Sequence, residues 1–171
     1  MSEPVVSAMY VGEGFAGEGP DAAHINLLIG PKNGPVGAAF ASGLTQPRPG
    51  NIPFLSVIRP NVPAIPPTLF VNKADLRGPQ HEALTWGAAQ AGVASGISEA
   101  LLSGELPAEA EREWVAVAAA WVNWIAADAE SVFRNNREAT LLAVRQAMRG
   151  VDRTAIADAV KEPRNAYFRN S

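Results

Sequence analysis

The segment AHINLLIG, residues 23 to 30, constrains the fold more than any other stretch of the chain. Ile25, Leu27 and Ile29 alternate with His24, Asn26, Leu28 and Gly30, and side chains of an extended chain point alternately to opposite faces. The period of two predicts a strand over 24–30 with one apolar face and one face carrying His24 and Asn26 together. GPKNGP follows it, a turn written in Gly, Pro and Asn. A histidine at the mouth of such a strand has two readings. It is either a partly buried residue that the fold satisfies, or an acid–base group held beside an amide.

Around this strand the remaining elements can be placed from the same kind of pattern. PVVSAMYV, residues 4 to 11, predicts a first strand, and the glycines of GEGFAGEGP then suggest a flexible loop approaching His24. VGAAFASGL reads as a short helix of small residues. FLSVI at 54–58 is a second apolar run, and RPNVPAIPPT after it is too rich in proline for a helix or a central strand. LFVNK at 69–73 resumes strand character and delivers Lys73 at its end. From His81 to Gly104 the pattern is helical, with Trp86, Val93, Ile97 and Leu101 on one stripe and Gln90 on the same stripe. A buried amide needs hydrogen-bond partners, so Gln90 serves either the backbone or a polar ligand. WVAVAAAWVNW is ambiguous, because alanine favours a helix while valine and tryptophan favour a strand. Residues 130–149 predict a helix with Phe133, Thr140, Val144 and Ala147 on one side, stopped at Gly150. This organisation implies one domain over residues 1–150 and a tail over 151–171 that holds one short amphipathic piece.

Composition narrows the functions available. The 171 residues suffice for a single hydrophobic core, and 47% hydrophobic against 18% charged residues is a globular profile. A net charge of −3 argues against a nucleic-acid partner, which needs clustered Lys and Arg to neutralise phosphate. Without cysteine there is no disulfide, thiolate nucleophile or Cys-based metal site, and His24 and His81, the only histidines, lack ligand spacing; no metal is expected. The longest apolar run, WVAVAAAWV, is too short to span a bilayer, and MSEPVVSAMYVGEG does not read as a signal peptide; the expectation is a cytoplasmic protein without a membrane partner.

The candidate reactive groups are few. No serine sits in a nucleophile elbow, and GEGFAGEGP lacks the Lys-Ser/Thr of a phosphate-binding loop. His24 is left as a general acid or base, with Asn26 able to hold a ligand beside it. His81 reads as a surface residue at a helix start.

Taken in order, VGEGFAGEGPDAAHINLLIG, GPVGAAFASGL, FLSVIRPNVP, PPTLFVNKADL, GAAQAGVASGI and REATLLAVRQAM resemble the formaldehyde-activating enzymes, from about Val11 to Gly150. The resemblance implies an α+β fold, a two-layer sandwich like the ribosomal small-subunit protein S-five domain-two superfamily, and makes WVAVAAAWV a strand. It implies a homopentamer with active sites between subunits, and a lyase that condenses formaldehyde with the co-substrate tetrahydromethanopterin. By position the family's catalytic histidine falls on His24, and its pterin-contacting residues fall on Asn26, Leu55, Lys73, Asp75 and Gln90. On this reading His24 protonates the departing hydroxyl of a hydroxymethyl adduct, Leu55 packs on the pterin ring, and Lys73 and Gln90 hydrogen-bond its polar edge. The chain departs from the family's pattern at Asn26, Asp75, Ala88 and Asn123, where that pattern has Asp, Thr, Pro and His. Asp75, two residues after Lys73, would share its strand face and pair with it. Two other readings accompany the enzyme: a non-catalytic sensor or carrier of formaldehyde or a reduced pterin, and a structural pentamer with an unused cleft.

Overall fold

A computed structural model describes residues 9–165. Its centre is a five-stranded sheet in the order β1-β2-β7-β6-β3, built from β1 (Tyr10–Ala16), β2 (Ala23–Pro31), β3 (Phe54–Leu55), β6 (Thr68–Asn72) and β7 (Trp114–Trp121). All neighbours are antiparallel except β6 and β7, which run parallel. A small ribbon of β4 (Val57–Arg59) and β5 (Val62–Pro63) carries the proline-rich stretch. The helices are α1 (Pro35–Thr45), α2 (Gly78–Ala83), α3 (Gln90–Leu102), α4 (Ala110–Glu113), α5 (Ala129–Arg149) and α6 (Arg153–Lys161). The molecule is therefore of mixed α+β architecture.

The alternation in β2 is realised as expected. Ile25, Leu27 and Ile29 are fully buried in one core with Val93, Ile97, Val132 and Val144 of α3 and α5, while Asn26 on the other face is exposed. The strand over 114–121 resolves the ambiguous alanine-rich segment. Ala116, Ala118 and Ala120 face the helices and are buried, so alanine serves here to admit a close helix layer rather than to favour a helix of its own. Across the opposite face lies α1, packed on β2 and β7 through its own buried Val36.

The first strand overlaps the segment that the sequence pattern marked at Tyr10 and Val11 and runs on beyond it. Residues 4–8 of the expected 4–11 segment lie outside the described residues, and β1 continues from Tyr10 into the glycine-rich stretch that was read as a flexible loop. The physical reason is packing. A Cβ at Gly12 or Gly14 would stand 1.9 Å from the Ala143 or Ala139 carbonyl oxygen, so glycine lets the backbone of α5 rest directly on β1. Only beyond the strand, at Gly17 (φ 81°) and Gly19 (φ 65°), does glycine serve its turn-forming role.

The long helix expected from 81 to 104 is broken in phase. Leu84–Ala89 form a π-helical turn between α2 and α3, and the wider turn rotates Trp86 out of the stripe. Trp86 is 38% exposed, whereas Val93 and Ile97 are buried. α5 keeps its expected limits within a residue. Asp128 caps its start by accepting from the Glu130 N–H, and Gly150 follows its end at φ 68°. The exposed α6 occupies the expected amphipathic piece of the tail.

His81 is also not where the sequence suggested. It lies in α2 but is 2% exposed: its Nδ1 accepts from the Arg77 N–H at 3.2 Å, so its Nε2–H donates to the Val122 carbonyl at 3.0 Å. The ring is a structural clasp between the β6–α2 connection and the end of β7. The expected surface position fails because a short α2 turns back against that strand end.

Three outcomes follow for urea unfolding. Gly14→Ala should cost about 3 kcal/mol or more by overpacking against α5, while Gly87→Ala, with open space around it, should change stability by about 1 kcal/mol or less. His81→Ala should cost about 2 to 3 kcal/mol, because it strands the part-buried Arg77 N–H and the buried Val122 carbonyl.

Candidate functional site

The outer face of the sheet gathers its polar residues at one end. Strand register sets Phe15, His24 and Trp121 side by side on β1, β2 and β7, and sets Glu13 beside Asn26 in the next row. Lys73 follows the last residue of β6, and its backbone N–H donates to the Ala120 carbonyl at 2.8 Å, which anchors it beside this row. Because β2 and β1 turn every second residue outward, the inner apolar contacts oblige Glu13, His24 and Asn26 to face the same side.

Four side chains form a continuous chain of hydrogen bonds there. Lys73 Nζ donates to Asn26 Oδ1 at 2.8 Å and lies 3.3 Å from His24 Nδ1, while His24 Nε2 lies 2.6 Å from Glu13 Oε1. A protonated lysine can only donate, so Nδ1 accepts and the imidazole proton sits on Nε2, directed at the Glu13 carboxylate. The ring of Phe15 tilts over His24 with centroids 6.3 Å apart. Desolvation on this face lowers the Lys73 pKa to about 8, although the Glu13 carboxylate pulls in the other direction. Asn26, being neutral, adds no charge to hold the ammonium. The arrangement places a readily deprotonated amine, an imidazole and a carboxylate in line, which is suited to moving one proton and to presenting a nucleophile.

The remaining expected site residues are distributed differently. Asp75 does not pair with Lys73: β6 ends at Asn72, the chain bends, and no ion pair joins the two among the described residues. Its backbone carbonyl instead accepts from Trp124 Nε1–H at 2.9 Å, and Trp124 carries the Arg77 guanidinium 3.4 Å above its ring. Leu55 is 44% exposed on edge strand β3, on the outer face through its register with Leu69, Val117 and Leu28. Three strand spacings, about 14 Å, separate β3 from β2. Gln90 opens α3 in the helix layer, where its Oε1 accepts from the Val57 N–H at 3.0 Å and thus ties down β4. His24, Asn26 and Lys73 therefore converge, Asp75 sits in the loop beyond them, and Leu55 and Gln90 belong to the opposite edge of the sheet.

Glu13 is the site residue that sequence reasoning missed. The signal was present in VGEGFA, where large and small residues alternate with period two, but the glycines were read as flexibility. Among the described residues no group of three His, Asp or Glu side chains is placed to hold a metal, and no helix is long and apolar enough to cross a membrane.

The lowered Lys73 pKa has a sign that can be checked. Acetylation of Lys73 followed against pH by peptide mapping should show a midpoint near 8, and Glu13→Gln should move it lower still by removing the charge that favours the ammonium.

Comparison with known proteins places this geometry in context. Residues 11–166 match the family model described as formaldehyde-activating enzyme. The chain is 45% identical over 140 residues to the bifunctional enzyme Fae/Hps of Methanothrix thermoacetophila, covering 82% of this chain and 36% of that protein. It is 40% identical over 158 residues to the 5,6,7,8-tetrahydromethanopterin hydro-lyase of Methanosarcina barkeri, covering 92% of this chain and 89% of that protein. A second bifunctional Fae/Hps, from Methanococcoides burtonii, is 42% identical over 142 residues, 83% of this chain and 36% of its own length. The chain thus spans about a third of the bifunctional relatives and nearly all of the hydro-lyase. With the match running through both edges of the sheet and α5, the chain belongs to the formaldehyde-activating enzyme family, a family of lyases.

Proposed function

We propose that the chain condenses formaldehyde with tetrahydromethanopterin to give 5,10-methylene-tetrahydromethanopterin and water, with His24 as the general acid. The observation that carries this reading is the line of Glu13, His24 and Lys73 on an open sheet face, in a chain related over nearly its whole length to a tetrahydromethanopterin hydro-lyase. Addition of an amine to formaldehyde gives a hydroxymethyl adduct that must lose water. An imidazole whose other neighbours are a carboxylate and an ammonium can supply that proton and regain it when the second amine closes the ring. Binding both reactants on one surface replaces a chance encounter by an oriented one.

The same reading makes the assembly a homopentamer with sites between subunits. It is supported by the division of the carried-over residues into two groups about 14 Å apart, and by apolar side chains left open on the outer face: Val11 is 58%, Phe15 47% and Leu55 44% exposed. Leu55 and Gln90 of one copy then complete the pterin site at the His24 cluster of another, with Asp75 on its rim. The sheet with its helix layer is assigned to the two-layer sandwich of the ribosomal small-subunit S-five domain-two superfamily, with a catalytic domain over 1–150, a tail over 151–171 and a place in the cytoplasm. A non-catalytic carrier of formaldehyde or a reduced pterin is the second reading. It is favoured by Glu13, which already occupies His24 Nε2.

The test is the rate of condensation of formaldehyde with tetrahydromethanopterin, measured for the protein, for His24→Ala and without protein. The expected result is acceleration that falls by about a hundredfold or more in the variant. A wild-type rate equal to background, with the pterin still bound, would establish the carrier instead.

A further inference from the structure

Lys73 has features that hydrogen bonding to a ligand does not require. Its amine is drawn across the outer face to His24 and Asn26, the residue as a whole stays exposed, and among the described residues no carboxylate is its direct partner. The other two lysines behave differently: Lys32 pairs with Glu113 at 3.3 Å and Lys161 with Asp158 at 2.9 Å, both on the open surface. A lysine serves as a nucleophile toward carbonyl carbon when it can shed its proton near neutral pH and has an acid–base group within reach of the new bond.

We propose that Lys73 captures small aldehydes covalently, as a Schiff base at Nζ, and that in the condensation this is the first stop of the formaldehyde carbon. The Lys73 ammonium passes a proton to His24 Nδ1, 3.3 Å away, leaving a neutral amine beside an imidazolium whose Nε2–H faces the Glu13 carboxylate. The Nζ lone pair attacks the aldehyde carbon, the C=O π pair moves to oxygen, and a proton shifts from nitrogen to oxygen to give a carbinolamine. His24 returns its proton from Nδ1 to the hydroxyl, the C–O bond breaks, water leaves, and the nitrogen lone pair closes the C=N bond. One ammonium and one aldehyde thus become one protonated imine and one water, with His24 restored. A pterin amine then forms its bond to the methylene carbon, the bond to Nζ breaks, and Lys73 leaves with the proton that the attacking amine gives up.

Three groups face the amine closely enough to govern its titration, from every strand packed against it: His24 and Asn26 on β2 and Glu13 on β1. The neighbouring β7 contributes Trp121 and Ala119 to this part of the face, neither of them charged. Desolvation outweighs the opposing Glu13 charge and brings Lys73 to about 8, so at neutral pH a fraction of the amine is unprotonated.

The transfer to pterin rests on the proposed condensation, but the capture does not, and the experiment separates them. The full-length protein is treated with formaldehyde and cyanoborohydride at pH 7.5 without any pterin, and methylation at Lys73, Lys32 and Lys161 is compared by peptide mapping. Lys73 should be methylated about tenfold or more faster than either of the others. His24→Ala should remove most of that advantage, and Asn26→Asp, which sets a carboxylate against the amine, should reduce it while leaving Lys32 and Lys161 unchanged. Equal labelling of the three lysines, or an advantage of Lys73 untouched by both variants, would overturn the proposal. Capture with no condensation would refute the proposed function alone, and condensation with no preferential capture would refute this inference alone.

Discussion

The close seating of α5 is the constraint on which the rest of the structure depends. Its backbone is approached by glycines from two directions: Gly12 and Gly14 of β1 against the Ala143 and Ala139 carbonyls, and Gly92 and Gly96 of α3 against those of Phe133 and Arg137. At Gly92 and Gly96 an added Cβ would stand 2.5 and 2.7 Å from those oxygens. Such contacts leave no space for a side chain, so the interior is close-packed through backbone rather than through interlocking large residues. The buried alanines of α5 and β7 continue the same arrangement.

Packing on the inner face thereby determines chemistry on the outer one. With Gly12, Gly14 and Ala16 turned to α5, Val11, Glu13 and Phe15 must turn outward, and a slip of one residue would invert both sets. Glu13 reaches His24 because of this register. Lys73 arrives from β6 through a backbone bond to β7, so three strands supply one hydrogen-bonded line of side chains, and each is held in place by burial on the other side of the sheet. The two histidines illustrate the contrast. His81 has both ring nitrogens committed to backbone partners in the interior, whereas both nitrogens of His24 face side chains that can exchange protons.

Much of this was legible from residues alone where one period dominated. The strand at β2, the helix α5, the exclusion of a helix or central strand from the proline-rich stretch and the outward pairing of His24 with Asn26 all follow from alternation, capping or ring chemistry. The pattern was misleading where glycine and alanine stood in regular elements. Gly12 and Gly14 resembled a flexible loop, and Ala116, Ala118 and Ala120 left their segment ambiguous between helix and strand, because small residues placed for close approach have no local signature. Trp86 left its expected stripe through a single π turn, which changes the phase without any marker in the sequence. Asp75 failed to meet Lys73 because the strand stopped one residue before the lysine.

By itself, the sequence determined which residues could carry chemistry: two imidazoles, three lysines, no thiols, and a strand whose apolar alternation forced His24 and Asn26 to one side. That much follows from side-chain identity and the two-residue repeat of an extended chain. Only the tertiary structure decided which of them meet. Glu13 joined His24 and Lys73, Asp75 stayed apart, Gln90 became an anchor for Val57, and His81 was withdrawn into the interior. These outcomes depend on strand order, on where β6 ends and on the close seating of α5 over glycine. They are set by contacts between residues distant in the chain, which no local pattern records.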